Sequence, residues 1–260
     1  MPRSIFITGA AQGIGRAAAL KFHQEGWFVG AYDVDGVGLD KLSDELQGER
    51  LASGRLDVTD RIAFADAAAA FNEQAGGRFD VIFNNAGLLF TGAFEDIPAE
   101  RHDKLVDVNI KGVTNGVQAA LPYLEATAAK EGEACVLSMS SASAIYGAPE
   151  HAVYSATKFA VRALTEALDI ELAPKNIKVR DIMPAYVDTG MVQNLEYKPK
   201  ILKNSGLSHT AEEIAELALT AVHGDKLHTY GAKSMKRMDT LSSLMPGRTA
   251  QSMKKMMGEG

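Results

Sequence analysis

Tyr154 and Lys158 stand four residues apart in the run YSATK. On a helix, that spacing puts a phenol and an ammonium on one face. An isolated tyrosine keeps its proton up to a pH of about 10. A fixed cation nearby stabilises the phenolate and eases removal of that proton. Such a pair can exchange a proton as a general acid and base. The same pair on a solvated face would do nothing, so the rest of the chain must decide.

A second group of residues points to a nucleotide. The run TGAAQGIG places Gly9, Gly13 and Gly15, with Gln12 and Ile14 between them, after the strand-like SIFIT and before a helical pattern. Glycines there permit a tight turn and close approach of backbone to phosphate, and the helix start supplies N–H groups and a positive dipole end. The order is G-x-x-x-G-x-G, which carries weight only because of its place after a first strand. Asp33 follows 18 residues beyond Gly15, at the end of a second strand-like run. A carboxylate there can accept hydrogen bonds from ribose hydroxyls and would repel a 2′-phosphate. No Lys or Arg follows it until Lys41, and Gln12 is neutral. The expected cofactor is therefore NAD rather than NADP.

The elements that must position these groups alternate. Strand-like runs SIFITG, WFVGAYD, RLDVTD, FDVIFNNAG, ACVLSMSS and IKVRDIMP are separated by helical patterns. The fourth of these patterns reads as one long helix over 101–130. The alternation predicts one α/β domain over 1–260, a Rossmann-like doubly wound parallel sheet of about seven strands with helices on both faces. The segment 190–209 lacks periodicity and reads as a substrate lid. A helix should start after Thr210, where TAEE makes a capping box with Glu213.

Composition bounds the reading. The chain has 260 residues, 46% hydrophobic and 23% charged, with a net charge of −6, which argues against a nucleic-acid surface. Cys135 is the single cysteine, so no internal disulfide forms, and a reducing, cytoplasmic setting is expected. The six histidines are scattered without metal-ligand spacing, so no metal site is expected. No apolar run is long enough for an integral membrane segment.

The motifs taken together resemble the short-chain dehydrogenase/reductase family. TGAAQGIG, NNAG from Asn84 to Gly87, Asn109, Ser141 and YSATK occur in the family's order, with Ser141 13 residues before Tyr154. The resemblance covers roughly the first three quarters of the chain. It implies that Tyr154 is the acid for carbonyl reduction and the base for alcohol oxidation. Lys158 would lower its pKa and bond the nicotinamide ribose, Ser141 would orient the substrate oxygen, and Asn109 would hold a water in a proton path. Asp57 and Val58 would meet the adenine, and Asn84, Ala86 and Gly87 would flank the adenosine ribose. Pro184, Val187 and Thr189 would hold the nicotinamide carboxamide. Ala185 stands where the family usually has glycine, and an ordinary φ is expected there. The resemblance also implies a homodimer or homotetramer built on the long helices at 101–130 and 154–173.

The substrate side is placed by proximity to these motifs. Leu88, Phe90, Ser143, Tyr146, His151, Tyr186 and Met191 suggest a medium-sized apolar secondary alcohol or ketone. The end of the chain, 231–260, diverges from the family. It holds six of the ten methionines and a local charge of +4, against −10 for the rest. It reads either as a cover over an apolar substrate or as a terminal helix with a solvated basic face. Two other functions compete with an oxidoreductase. A non-catalytic NAD-binding sensor would not need the Asn109, Ser141, Tyr154 and Lys158 set. A methyltransferase would share the glycine turn but gives no reason for YSATK.

Overall fold

A computed structural model describes residues 1–48 and 50–258, and all of Met256 but its side chain. The chain begins with β1 (Ser4–Thr8), α1 (Gly13–Gln24), β2 (Phe28–Asp33), α2 (Gly36–Glu45), β3 (Leu51–Arg55), α3 (Arg61–Gln74) and β4 (Val81–Asn84). It continues with α4 (Ala99–Val106), α5 (Gly112–Glu131), β5 (Ala134–Met139), α6 (Ala152–Leu172) and β6 (Ile177–Met183). The last part holds β7 (Val187–Asp188), α7 (Gly190–Gln193), α8 (Lys200–Ser205), β8 (His209–Thr210), α9 (Ala211–His223), β9 (His228–Tyr230), α10 (Lys233–Leu244) and α11 (Pro246–Met256).

Seven strands form one sheet in the order β3-β2-β1-β4-β5-β6-β9, and every neighbouring pair is parallel. Strands β7 and β8 make a separate two-stranded pair. The central strands are buried on both faces, so their alternate side chains feed two cores. Ile5 and Ile7 of β1 enter the core that contains Phe22 of α1, Leu42 of α2 and Ile214 of α9. Phe6, between them, enters the core with Phe64 and Phe71 of α3 and Leu124 of α5. Phe6 stacks on Tyr32 at 4.2 Å and meets Phe71 edge-on at 5.4 Å. Each such fully buried phenyl ring contributes roughly 1.5–3 kcal/mol relative to an exposed one.

The order of strands reverses between β1 and β4. Helices from the two sides diverge there, which opens a crevice at the carboxyl ends of the strands. The glycine loop follows β1, and Asn84–Gly87 follows β4, so both motifs reach that crevice.

Two sequence expectations shift. The third strand is Leu51–Arg55, not the run from Arg55 to Asp60; it is an edge strand with one buried residue, Ala52, and so has a weak apolar signal. Asp57 instead turns the chain, accepting from the Thr59 N–H at 2.9 Å and its hydroxyl at 2.7 Å. The long fourth helix runs from Ala99 to Glu131 but is interrupted by a π-helical turn at Asp107–Lys111. The capping box forms as expected: Thr210 Oγ1 accepts from the Glu213 N–H, and the Glu213 carboxylate accepts from the Thr210 N–H. No helix among the described residues is long and apolar enough to cross a membrane.

Candidate active site

The crevice is a cavity of about 590 Å³, within the range of small-molecule and cofactor sites. Its nucleotide end is built on the glycine loop. Gly9 has φ of +68°, and a Cβ on it would lie 2.9 Å from Ala86 Cα. Glycine is required there on both counts. Asn85 ties the loop to β4, donating from Nδ2 to the carbonyls of Thr8 at 2.9 Å and Gly9 at 3.2 Å. Thr8 Oγ1 accepts from the Asn85 and Ala86 N–H groups at 3.1 and 3.0 Å. Gln12 precedes α1 without a side-chain cap, which leaves the helix start free to meet an anion.

Gly9, Gln12, Gly13, Ile14, Asp33, Asp57, Val58, Ala86 and Gly87 all line the cavity. Gly15 does not: its Cα lies so close to the Gly9 carbonyl that a Cβ would fall 2.0 Å from that oxygen. It lets α1 pack on the loop. Asn84 is also behind the wall, buried against Gly116 of α5. The neighbour Asn85 takes the cavity side instead. Asp33 is held at the mouth by two backbone groups, its Oδ2 accepting from Ala11 N–H and its Oδ1 from Asp35 N–H, both at 3.0 Å.

The other half of the cavity gathers Ser141, Tyr154 and Lys158. Ser141 follows β5 and accepts the Ser143 N–H at 3.1 Å. Tyr154 and Lys158 lie one turn apart on α6, the Lys158 ammonium 5.6 Å from the Tyr154 ring centre. Lys158 Nζ donates to the Met139 carbonyl at 2.8 Å. Burial brings the Lys158 ammonium down to about 8. The Tyr154 phenol is raised by burial, with a hydrogen bond from Ser141 working the other way. Desolvation of the phenolate outweighs the help it receives from Ser141.

Asn109 sits in the π-helical turn and is fully buried. Its Oδ1 accepts the Leu88 N–H at 2.8 Å, and its Nδ2 donates to the Leu88 carbonyl at 3.0 Å and Thr157 Oγ1 at 3.1 Å. The side-chain amide is therefore engaged by protein, clamping the chain after β4 to α6. It does not line the cavity, but a Cβ on Gly87 would stand 3.3 Å from Asn109 Oδ1 and 3.7 Å from Lys158 Nζ.

Pro184, Val187 and Thr189 line the wall opposite α6, together with Ala185. Ala185 is not among the residues of positive φ, as its type requires. Leu88, Ser143, Tyr146, His151, Tyr186 and Met191 also line the cavity, whereas Phe90 does not. Phe90 lies under the Arg101 guanidinium at 5.1 Å. Sequence reasoning missed Ile201 and Ser205 of α8, and Met235, Met238, Thr249 and Met253 of α10 and α11, which close the far end. Ile201 and Ser205 fall in the segment 190–209 that reads as a lid, and the methionine density of 231–260 signals the others.

A sequence profile described as short chain dehydrogenase matches residues 3–200. The chain is a short-chain dehydrogenase/reductase. It is 33% identical over 231 residues to the 3-oxoacyl-[acyl-carrier-protein] reductase FabG of Thermotoga maritima, covering 86% of this chain and 92% of that one. Among solved structures, it resembles a 3-ketoacyl-(acyl-carrier-protein) reductase from Brucella melitensis complexed with NADH, with a TM-score of 0.80, 27% identity and coverage of 88% and 96%. It also resembles an alcohol dehydrogenase from Thermococcus sibiricus complexed with 5-hydroxy-NADP, with a TM-score of 0.75, 26% identity and coverage of 88% and 95%. The short-chain dehydrogenase/reductase is thus an oxidoreductase with a nicotinamide-nucleotide fold, and the uncapped start of α1, the Gly9 cradle and the cavity between Asp33 and Thr189 fit such a cofactor.

Proposed function

We propose that this oxidoreductase interconverts an apolar secondary alcohol and its ketone, with NAD preferred. The single observation that carries the reading is the convergence of Ser141, Tyr154 and Lys158 on one cavity with the glycine loop. The nicotinamide supplies or accepts the hydride when bound. The glycine loop and the start of α1 would hold the diphosphate, Asp33 the adenosine ribose, and Pro184, Val187 and Thr189 the nicotinamide end. Ser141 donates a hydrogen bond to the substrate oxygen. Tyr154 gives that oxygen a proton in reduction and takes one in oxidation. Lys158 steadies the charge beside the phenol. Asn109 keeps α6 in register with the loop after β4.

Asp33 supports NAD over NADP. Its carboxylate is fixed by Ala11 and Asp35 N–H groups, so it cannot swing away from a 2′-phosphate without abandoning both bonds. Segment 190–209 and helices α10 and α11 act as the cover of the substrate end. The methionines there, with Tyr146 and Met191, suit an apolar body. The sensor reading has no comparable support, since it gives the Ser141–Tyr154–Lys158 group no task.

The test is a panel of apolar secondary alcohols and ketones, followed by nicotinamide absorbance with NAD and with NADP. The expected outcome is turnover, faster with NAD, that falls at least a hundredfold in Tyr154→Phe. Equal rates in the variant would remove Tyr154 from its role. A preference for NADP would remove Asp33 from its own.

A further inference from the structure

Three stretches that bound the catalytic end meet at one point behind it. They are the wall after β6, the segment 190–209 and the C-terminal cover that starts at Gly231. Strands β7 and β8 pair Val187 with His209 and Asp188 with Thr210. The Ser208 N–H donates to the Tyr186 carbonyl at 2.8 Å, and the Gly231 N–H donates to the Met183 carbonyl at 3.0 Å. The Ala142 N–H donates to the Pro184 carbonyl at 2.8 Å, which ties the turn after Ser141 to the same wall. Ile145, Met183 and Met235 form a small core here, with Ala142, Ala185 and Ala232 packed against it.

His209 stands at the crossing. A Cβ on Gly231 would lie 2.7 Å from His209 Nε2, 3.2 Å from its Cδ2 and 3.3 Å from Pro184 Cα. Gly231 is not among the glycines of positive φ, so its backbone does not demand glycine. Space does: the imidazole fills the place that a side chain would take. On its other side the ring meets the capping box, with Nδ1 3.5 Å from Glu213 Oε2. Nε2 is buried without a hydrogen-bond partner among the described residues. Buried polar atoms are nearly always paired, and an unpaired one costs stability. The ring therefore serves this place by its shape and not by a bond from Nε2.

We propose that His209 is a positioning residue for hydride transfer: its ring, set against Gly231 beside Pro184, fixes the distance between the nicotinamide wall and the root of the C-terminal cover. The inference rests on the reading that Pro184, Val187 and Thr189 hold the nicotinamide end, and goes beyond it by naming what holds them. His209 does not line the cavity. It acts through Pro184, whose carbonyl also anchors the turn after Ser141. A displaced wall thus shifts the hydride donor and the Ser141 hydroxyl against each other. Misplacement by about 1 Å can cost about a hundredfold in rate.

The experiment is a double-mutant cycle on Gly231→Ala and His209→Ala. Each protein, in excess over NADH, is mixed with a saturating ketone from the panel above, and the loss of nicotinamide absorbance is followed through one turnover. The rate then reports hydride transfer in intact sites, and the amplitude reports how many sites are intact. Gly231→Ala, which sets a methyl against the imidazole, should slow the rate at least tenfold. In the His209→Ala background the methyl has room, so the same substitution should cost less than threefold. An equal cost in both backgrounds would overturn the inference, as would a Gly231→Ala protein as fast as the wild type. A smaller amplitude at an unchanged rate would mark a merely structural role and overturn it too. If Gly231→Ala does not fold, His209→Ala alone decides: it should slow the rate at least threefold at full amplitude, and an unchanged rate would overturn the inference. No turnover of any ketone by the wild type, with NADH still bound, would instead overturn the underlying reading and this one with it.

Discussion

Lys158 presents a conflict that can be decided by magnitude. A lysine that is 4% exposed with its ammonium brought from 10.5 to about 8 bears a burial cost near neutral pH of about 3 kcal/mol, at 1.36 kcal/mol per unit. Its bond to the Met139 carbonyl returns about 1 kcal/mol. A methionine would fill the same space without the charge. Lys158→Met should therefore raise unfolding free energy by roughly 1–3 kcal/mol at pH 7, while carbonyl turnover collapses. The pH dependence has a definite sign. Below about pH 8 the folded and unfolded states both carry the proton, and the full cost is borne. Between about 8 and 10.5 the folded state sheds its proton first, so the cost fades as pH rises. Denaturant unfolding of both proteins at pH 7 and pH 10 reads this directly. A variant that is less stable at pH 7, or a gap that widens at pH 10, would show that burial is not what sets this lysine. The cation would then be present for structure and not, as argued here, at the expense of it.

At the scale of elements, the segment around α8 is tied to the site by Glu150. Glu150 Oε1 accepts from the Tyr197 hydroxyl and Oε2 from the Lys200 N–H, both at 2.6 Å. The second bond caps the start of α8, whose own N-cap, Pro199, offers no side chain for it. Arg101 adds a two-pronged pair to Glu196 at 2.8 and 2.9 Å, and Thr91 Oγ1 donates to the Tyr197 carbonyl at 2.6 Å. Loss of a cap is worth about 1 kcal/mol, or about fivefold in an equilibrium constant. Glu150→Ala should thus raise KM about fivefold with a smaller change in kcat, and speed proteolytic cleavage within 190–209. An unchanged KM with unchanged cleavage would free this segment from the role of a cover. None of these ties was legible in the sequence, because each joins residues far apart in the chain. The strands of the sheet were legible where both faces are buried, as in SIFIT and ACVLSM. They were not at the edges: β3 buries only Ala52, and β9 is three residues, HTY, with no apolar period to read. The π-helical turn around Asn109 was hidden for a different reason. Its residues keep ordinary helical character, and only the backbone ladder shifts.

At the scale of the whole molecule, an exposed apolar face lies along α6, with Tyr154 and Lys158 on the inner side of the helix. Ala152, Ala156, Phe159, Ala163, Ala167 and Ile170 are all exposed, at spacings of three and four that draw one stripe along the helix. Ile170 is 77% exposed. Apart from Glu166 the exposed residues of the stripe are apolar, and four of them are alanine, which lets a neighbouring helix approach closely. An amphipathic helix of this length with an apolar outer face is built to meet another. The family resemblance implies pairing through the helices at 101–130 and 154–173, and the stripe gives that expectation a surface in this chain, so we expect a dimer across α6. The same contact would hold α6, and with it the Tyr154–Lys158 spacing, against a rigid partner. Light scattering coupled to size exclusion should report at least a dimer at micromolar concentration. Ala163→Arg, in the middle of the stripe, should shift the protein toward monomer and weaken turnover without altering any cavity residue. A wild type that elutes as a monomer would leave the stripe as solvent-facing surface, and a variant that stays dimeric would move the interface off α6.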